Sequence, residues 1–189
     1  MQYRKRWLIV AGASFATAAW AADHAPYAGW QDREIKALSA EQVDDLRNGR
    51  GMGLALAAEL NGYPGPRHVL DLAGQLDLTT EQRAEAQRLL AEMQAQAIVL
   101  GEQVIAGEAA LEGMFSEGAA AADPVQAAAI ELGRLQGVLR AHHLRYHLAM
   151  RDLLSPHQLL RYQQLRGYAA DGARGHGGHG GHGDMGTAP

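Results

Sequence analysis

From Leu90 to Leu153 the apolar side chains of this chain fall three and four residues apart in two long runs. The first is Leu90, Met93, Ala97, Leu100, Val104, Gly107, Leu111 and Met114; the second is Val125, Ala128, Leu132, Leu135, Leu139, His142, Tyr146, Ala149 and Leu153. Such spacing puts each run on one side of an α-helix, whereas a strand would alternate its faces every second residue. The first run predicts a helix from Thr79 to about Glu117, roughly 58 Å long at 1.5 Å per residue. GAAAADP at Gly118–Pro124 breaks the pattern. Two long helices joined by so short a loop fold back as an antiparallel hairpin, with Ala97 and Gly107 small enough to let the backbones approach.

Helix starts are written in three related pentapeptides: LSAEQ from Leu38, LTTEQ from Leu78 and LSPHQ from Leu154. In each, a hydroxyl residue precedes Gln by three positions, the arrangement of a capping box, in which the hydroxyl accepts from the N3 amide and the Gln side chain bonds back to the N-cap amide. Ser39, Thr79 and Ser155 are therefore expected N-caps. Pro156 suits the first helical position, and Leu38 with Val43 and Leu154 with Leu159 have the spacing of a hydrophobic staple. Asp123-Pro124-Val125-Gln126 is expected to open a helix in the same way. Ser39 to Leu60 reads as a helix interrupted by GRGMG, His68 to Leu76 as a short helix, and NGYPGP, Asn61–Pro66, as a turn separating this arm from the hairpin. The GRGMG glycines are no phosphate loop, because no strand precedes them and no Gly-Lys-Ser/Thr follows. The expected fold is all-α: a long antiparallel helical hairpin with additional shorter helices, about four helices in all, joined as a homodimer to cover its remaining apolar face.

The first residues, MQYRKRWLIVAGASFATAAWA, combine Arg4, Lys5 and Arg6 with an apolar run and small residues at Ala19 and Ala21. This is the pattern of a secretory signal cut after Ala21. The run Trp7–Ala22, 16 residues, is shorter than the roughly 20 a spanning helix needs. The expected organisation is then a signal peptide at 1–21, an N-terminal arm at 22–66, a hairpin domain at 67–168 and a tail at 169–189. A chain so processed carries 14 basic against 21 acidic residues, a formal charge of −7, which disfavours nucleic acid as a partner. The sequence has no cysteine, so no disulfide supports the fold and a metal must be held by histidine, carboxylate or methionine.

The Leu-Ser/Thr-x-x-Gln pentapeptides, one opening the long helix and another following the hairpin, resemble those of the LTXXQ (Spy/CpxP-like) family of the bacterial periplasm, which also includes ZraP/CnrX-like metal-responsive proteins. The resemblance spans roughly Ser39 to Tyr168. It implies a curved hairpin protomer, often dimeric, that either cradles unfolded clients or binds metal. The chain departs from the sensor pattern in having no His-x-x-x-His before the hairpin, where His24 and His68 stand alone.

Two histidine clusters carry the chemistry. His143 and His147 lie one helical turn apart, where neighbouring side chains sit about 5–6 Å from each other at Cβ, so one ion can bridge them. Met150 falls between them and the apolar seam, a soft third ligand for copper or a packing residue. The competing reading makes His142 a seam residue beside Tyr146 and leaves His143 and His147 on a polar margin, bonded to water or a carboxylate. His68 and Glu59 are candidate third ligands whose position depends on tertiary packing. In the tail, His176, His179 and His182 recur every third residue among glycines, a composition that predicts disorder. Fixing seven such residues costs about 7–14 kcal/mol, which suits loose, exchangeable capture of zinc, nickel or copper.

Catalysis has no footing: beyond the leader the chain has three serines, two of them at expected caps, and neither HExxH nor GxSxG. No enzyme activity and no organic cofactor are expected. The expected function is that of a periplasmic stress-response protein that binds unfolded or partner proteins, a sensor kinase among the candidate partners, and captures divalent metal. The alternative is a periplasmic heavy-metal sensor or buffer without chaperone activity.

Overall fold

The structure, a computed structural model, describes residues 26–168. The expected signal at 1–21, His24 and the expected tail with His176, His179 and His182 lie outside the described residues. Within them the chain is all-helical. Six helices run in order: α1 (Ala40–Arg47), α2 (Leu56–Glu59), α3 (Pro66–Asp71), α4 (Thr80–Ser116), α5 (Ala122–Leu153) and α6 (Pro156–Leu165). Helices α4 and α5, of 37 and 32 residues, pack on each other as the hairpin. None of the described helices is long and apolar enough to cross a membrane.

Every residue of both apolar runs is buried or half-buried. The seam divides into two apolar clusters. One, around Leu46, Ala97, Leu100, Val104, Leu132 and Leu139, joins α1 to the middle of the hairpin. The other, around Val69, Leu89, Met93, Tyr146, Met150 and Tyr162, joins α3 and α6 to its base. Burying these side chains, at about 1.5–3 kcal/mol each, is what holds helices that are too short to persist alone, such as α1 and α3.

All three expected capping boxes form, at Ser39 with Gln42, Thr79 with Gln82 and Ser155 with Gln158. The fourth does not. Helix α5 starts one residue earlier than Asp123, with Ala121 at the N-cap and no side-chain cap; Pro124 then falls within the first turn, where its missing N–H costs nothing, and Asp123 faces the helix dipole. Helix α3 also begins earlier than expected, at Pro66, and ends at Asp71. The arm's helix stops at Arg47 and resumes only for Leu56–Glu59.

Close backbone approach to α4 is made by α1 at Gly101 rather than by α5 at Ala97 and Gly107. A Cβ on Gly107 would stand 3.3 Å from Leu132 Cδ1, a tight contact that the end of a flexible side chain can relieve, whereas a Cβ on Gly101 would stand 2.4 Å from the Leu46 carbonyl oxygen. It is α1, not α5, that presses its backbone against α4. The Asn61–Pro66 turn likewise does not separate arm from hairpin. Gly62, Pro64, Gly65 and Pro66 are buried, and the carbonyls of Gly62 and Tyr63 accept from Arg151 and His147 of α5.

Candidate metal centre

Because the turn docks on α5, a second face of that helix is covered over its last three turns, beside the face that meets α4. Three imidazoles are buried along these turns, His142 on the α4 side and His143 and His147 under the turn. His142 belongs to the seam: its Nε2 lies 2.9 Å from the Met93 carbonyl, and its ring meets Tyr146 edge-on at 5.1 Å. A carbonyl can only accept, so that nitrogen carries the proton. His142 is thus engaged.

His143 is 2% exposed, yet its Nε2 has no hydrogen-bond partner among the described residues. Buried polar atoms are almost always paired, so an orphan beside a cavity is a place for a water or an ion to bind. Burial, followed by the neighbouring His142 and His147, holds the His143 imidazole down to about 4, so the ring is neutral, with a nitrogen lone pair, at ordinary pH. One turn on, His147 places Nδ1 2.7 Å from the Tyr63 carbonyl. Nδ1–H must donate, which leaves Nε2 as the lone-pair nitrogen. A backbone carbonyl bonded behind an imidazole is the usual way proteins orient a metal-binding histidine. Gly65 permits this approach, since a Cβ there would stand 3.1 Å from His147 Nε2.

Opposite these rings lies Glu59, the single acid in the apolar stretch Leu54–Leu60 and 5% exposed. The Tyr162 hydroxyl donates to its Oε1 and the Gly65 N–H donates to Oε2 at 3.1 Å. Arg166 Nε stands 3.5 Å away, His68 Nδ1 3.4 Å and His147 Nδ1 3.8 Å. Burial alone would push this carboxyl up; His68, Tyr162 and the Gly65 amide outweigh it and hold it at about 2. Burial and Glu59 together push the Tyr162 phenol up. One carboxylate thereby ties α2, the turn, α3 and α6 to the base of the hairpin.

Between these groups is a cavity of about 220 Å³ whose lining includes His68, His143, His147, Met93 and Gly65. A second hollow of about 270 Å³, lined by Met52, Leu56 and Glu59, shares Gly51, Ala55, His68 and His147 with the first. The structure therefore brings His143 and His147 together and adds His68 and Glu59 beside them. Met150 is fully buried in the apolar cluster with Val69, Tyr146 and Tyr162, and does not line the cavity. Among the described residues no three His, Asp or Glu side chains stand ready to share an ion. No family model, curated protein or solved structure matches the chain.

Proposed function

We propose that the chain is a periplasmic protein of the LTXXQ (Spy/CpxP-like) kind that captures a zinc, nickel or copper ion at the cavity beneath the Asn61–Pro66 turn. One observation carries this reading: two buried imidazoles a turn apart, one with its Nε2 unpartnered and the other held by Tyr63 so that Nε2 is the free lone pair. An ion supplies the missing partner for His143 and uses both nitrogens in the neutral form that metals require. His176, His179 and His182 add a second, looser set of ligands.

Calorimetry with each of the three metals tests the reading on the full chain carrying His176→Ala, His179→Ala and His182→Ala. The expected result is one ion per chain, lost on His147→Ala and weakened on acidification as the ligand imidazoles take up protons. Binding that disappears with the tail histidines alone would sink it.

Client binding is the second reading, and it is favoured by an open groove of about 970 Å³ along α4 and α5, where Val99 and Val138 are exposed between Glu92 and Arg145. An apolar strip with charged margins suits unfolded segments or a second copy of the chain. Suppression of client aggregation by metal-free protein, lost on Val99→Glu, is the expected outcome; equal suppression by the variant argues for a metal buffer or sensor instead.

A further inference from the structure

The donors around the cavity are not those of a hard dication. Glu59, the carboxylate beside it, already takes hydrogen bonds from Tyr162 and Gly65 and stands next to Arg166, so its negative charge is spent within the fold. The lone-pair donors that remain are imidazole nitrogens, with His143 and His147 the buried ones and His68 beside them, and thioether sulfur; Arg50 and Arg67, which also line the cavity, have no lone pair to give. Met93 lines the same cavity as the two histidines, and Met52 lines the adjoining hollow, which shares His68 and His147 with it. Thioether with imidazole is a soft donor set, suited to copper(I), whereas zinc and nickel favour fuller shells of nitrogen, oxygen or thiolate. The described residues hold no such shell of His, Asp or Glu.

Met52 itself supplies an independent observation. Its φ is 47°, in the left-handed region, within the run Gly51-Met52-Gly53, and its side chain is 38% exposed. The only other non-glycine in that region among the described residues is Asp77, a residue type that enters it readily. A methionine there is strained where glycine would be relaxed, and strain of this kind gathers at functional sites. A thioether in the hollow that adjoins the cavity gives that strain a purpose.

We infer that the ion taken up at this cavity is copper(I), received by the Met52 thioether at the mouth and held between Met93, His143 and His147. This rests on the metal-capture reading above and narrows it to one class of ion.

The test uses the full chain with the three tail histidines replaced by alanine. Copper(I), kept reduced with ascorbate under nitrogen, is measured by competition with bicinchoninate; silver(I) serves as a redox-inert substitute, and zinc(II) as the contrasting ion. Met52→Gly is expected to weaken copper(I) and silver(I) at least tenfold, to leave zinc(II) binding within twofold, and to leave the melting temperature no lower than the parent's. Met93→Leu, which conserves volume, is expected to do the same to the two soft ions. Copper(I) binding unchanged in both methionine variants, or zinc(II) preferred by the parent, overturns the inference while a loss of that binding on His147→Ala keeps metal capture standing. A parent that binds none of the three ions removes both.

Discussion

The side-chain amides of Gln82 and Gln158 bond each other in both directions, Nε2 of each to Oε1 of the other at 3.0 and 2.9 Å. Each Oε1 also accepts the amide of its own N-cap, and the two Nε2 groups reach the carbonyls of Leu153 and Leu76. Two capping boxes therefore share one polar knot that pins the start of α4 to the start of α6 and to the end of α5.

Replacing Gln158, which is buried, removes a cap and leaves Gln82 and the Leu76 carbonyl short of partners. Gln158→Ala is expected to cost about 2–3 kcal/mol in urea unfolding. Gln82→Ala should cost less in the Gln158→Ala background than alone, a coupling of about 0.5 kcal/mol or more. Strict additivity would mean that the knot is two independent caps.

Acid should unfold this protein in two stages. His143 titrates near 4 when folded against an ordinary value of 6.5, so below 6.5 the unfolded chain binds the extra proton and stability falls as pH drops toward 4. Glu59, held at about 2 against 4.5, contributes stability above 4.5 that is lost as pH falls toward 2. Each limb amounts to about 3 kcal/mol at roughly 1.4 kcal/mol per pH unit. Denaturant melts across pH 2–7 should lose the upper limb in His143→Leu and the lower limb in Glu59→Gln; a variant that keeps its limb assigns the titration elsewhere.

Tyr162→Phe deletes the hydroxyl that donates to Glu59 and leaves a buried carboxylate one donor short. The expected cost is about 1–3 kcal/mol, together with a rise in the Glu59 titration midpoint followed by carbon NMR of the carboxyl. No rise would mean that Tyr162 only packs against the site.

Gly101→Ala places a Cβ 2.4 Å from the Leu46 carbonyl. Backbone cannot yield as a flexible side chain does, so α1 must move off α4 at an expected cost of about 1–3 kcal/mol. Gly107→Ala, facing the end of the Leu132 side chain, should be milder; the reverse order in thermal melts would show that α1 docks differently.

What the sequence makes legible here is whatever depends on local spacing. The seams from Leu90 to Met114 and from Val125 to Leu153 define the hairpin because period alone decides which side of a helix is buried. Ser39, Thr79 and Ser155 mark helix starts because a capping box closes within four residues. Asp123 misleads because a proline near a helix start suits several positions of the first turn. The candidate site was half visible: the 143/147 spacing shows a pair on one helix, but not that the Asn61–Pro66 turn buries it, since that contact joins residues 84 apart, Tyr63 and His147. Two signals pointed there, Glu59 as the lone acid of an apolar stretch and a turn rich in proline and glycine. Spacing alone places Met93 in the seam and cannot show that a residue at the edge of a helix interface also lines a cavity beside it.

Metal capture at the helical pair is tested most directly by a long-range proton–nitrogen NMR titration of the full-length, isotope-labelled chain with silver(I), the redox-inert substitute for copper(I), which reports each imidazole separately. The first equivalent is expected to shift the ring nitrogens of His143 and His147, with Nδ1 of His147 still protonated against Tyr63. A first equivalent that moves only His176, His179 and His182, leaving both helical rings unchanged until the tail is saturated, would contradict it.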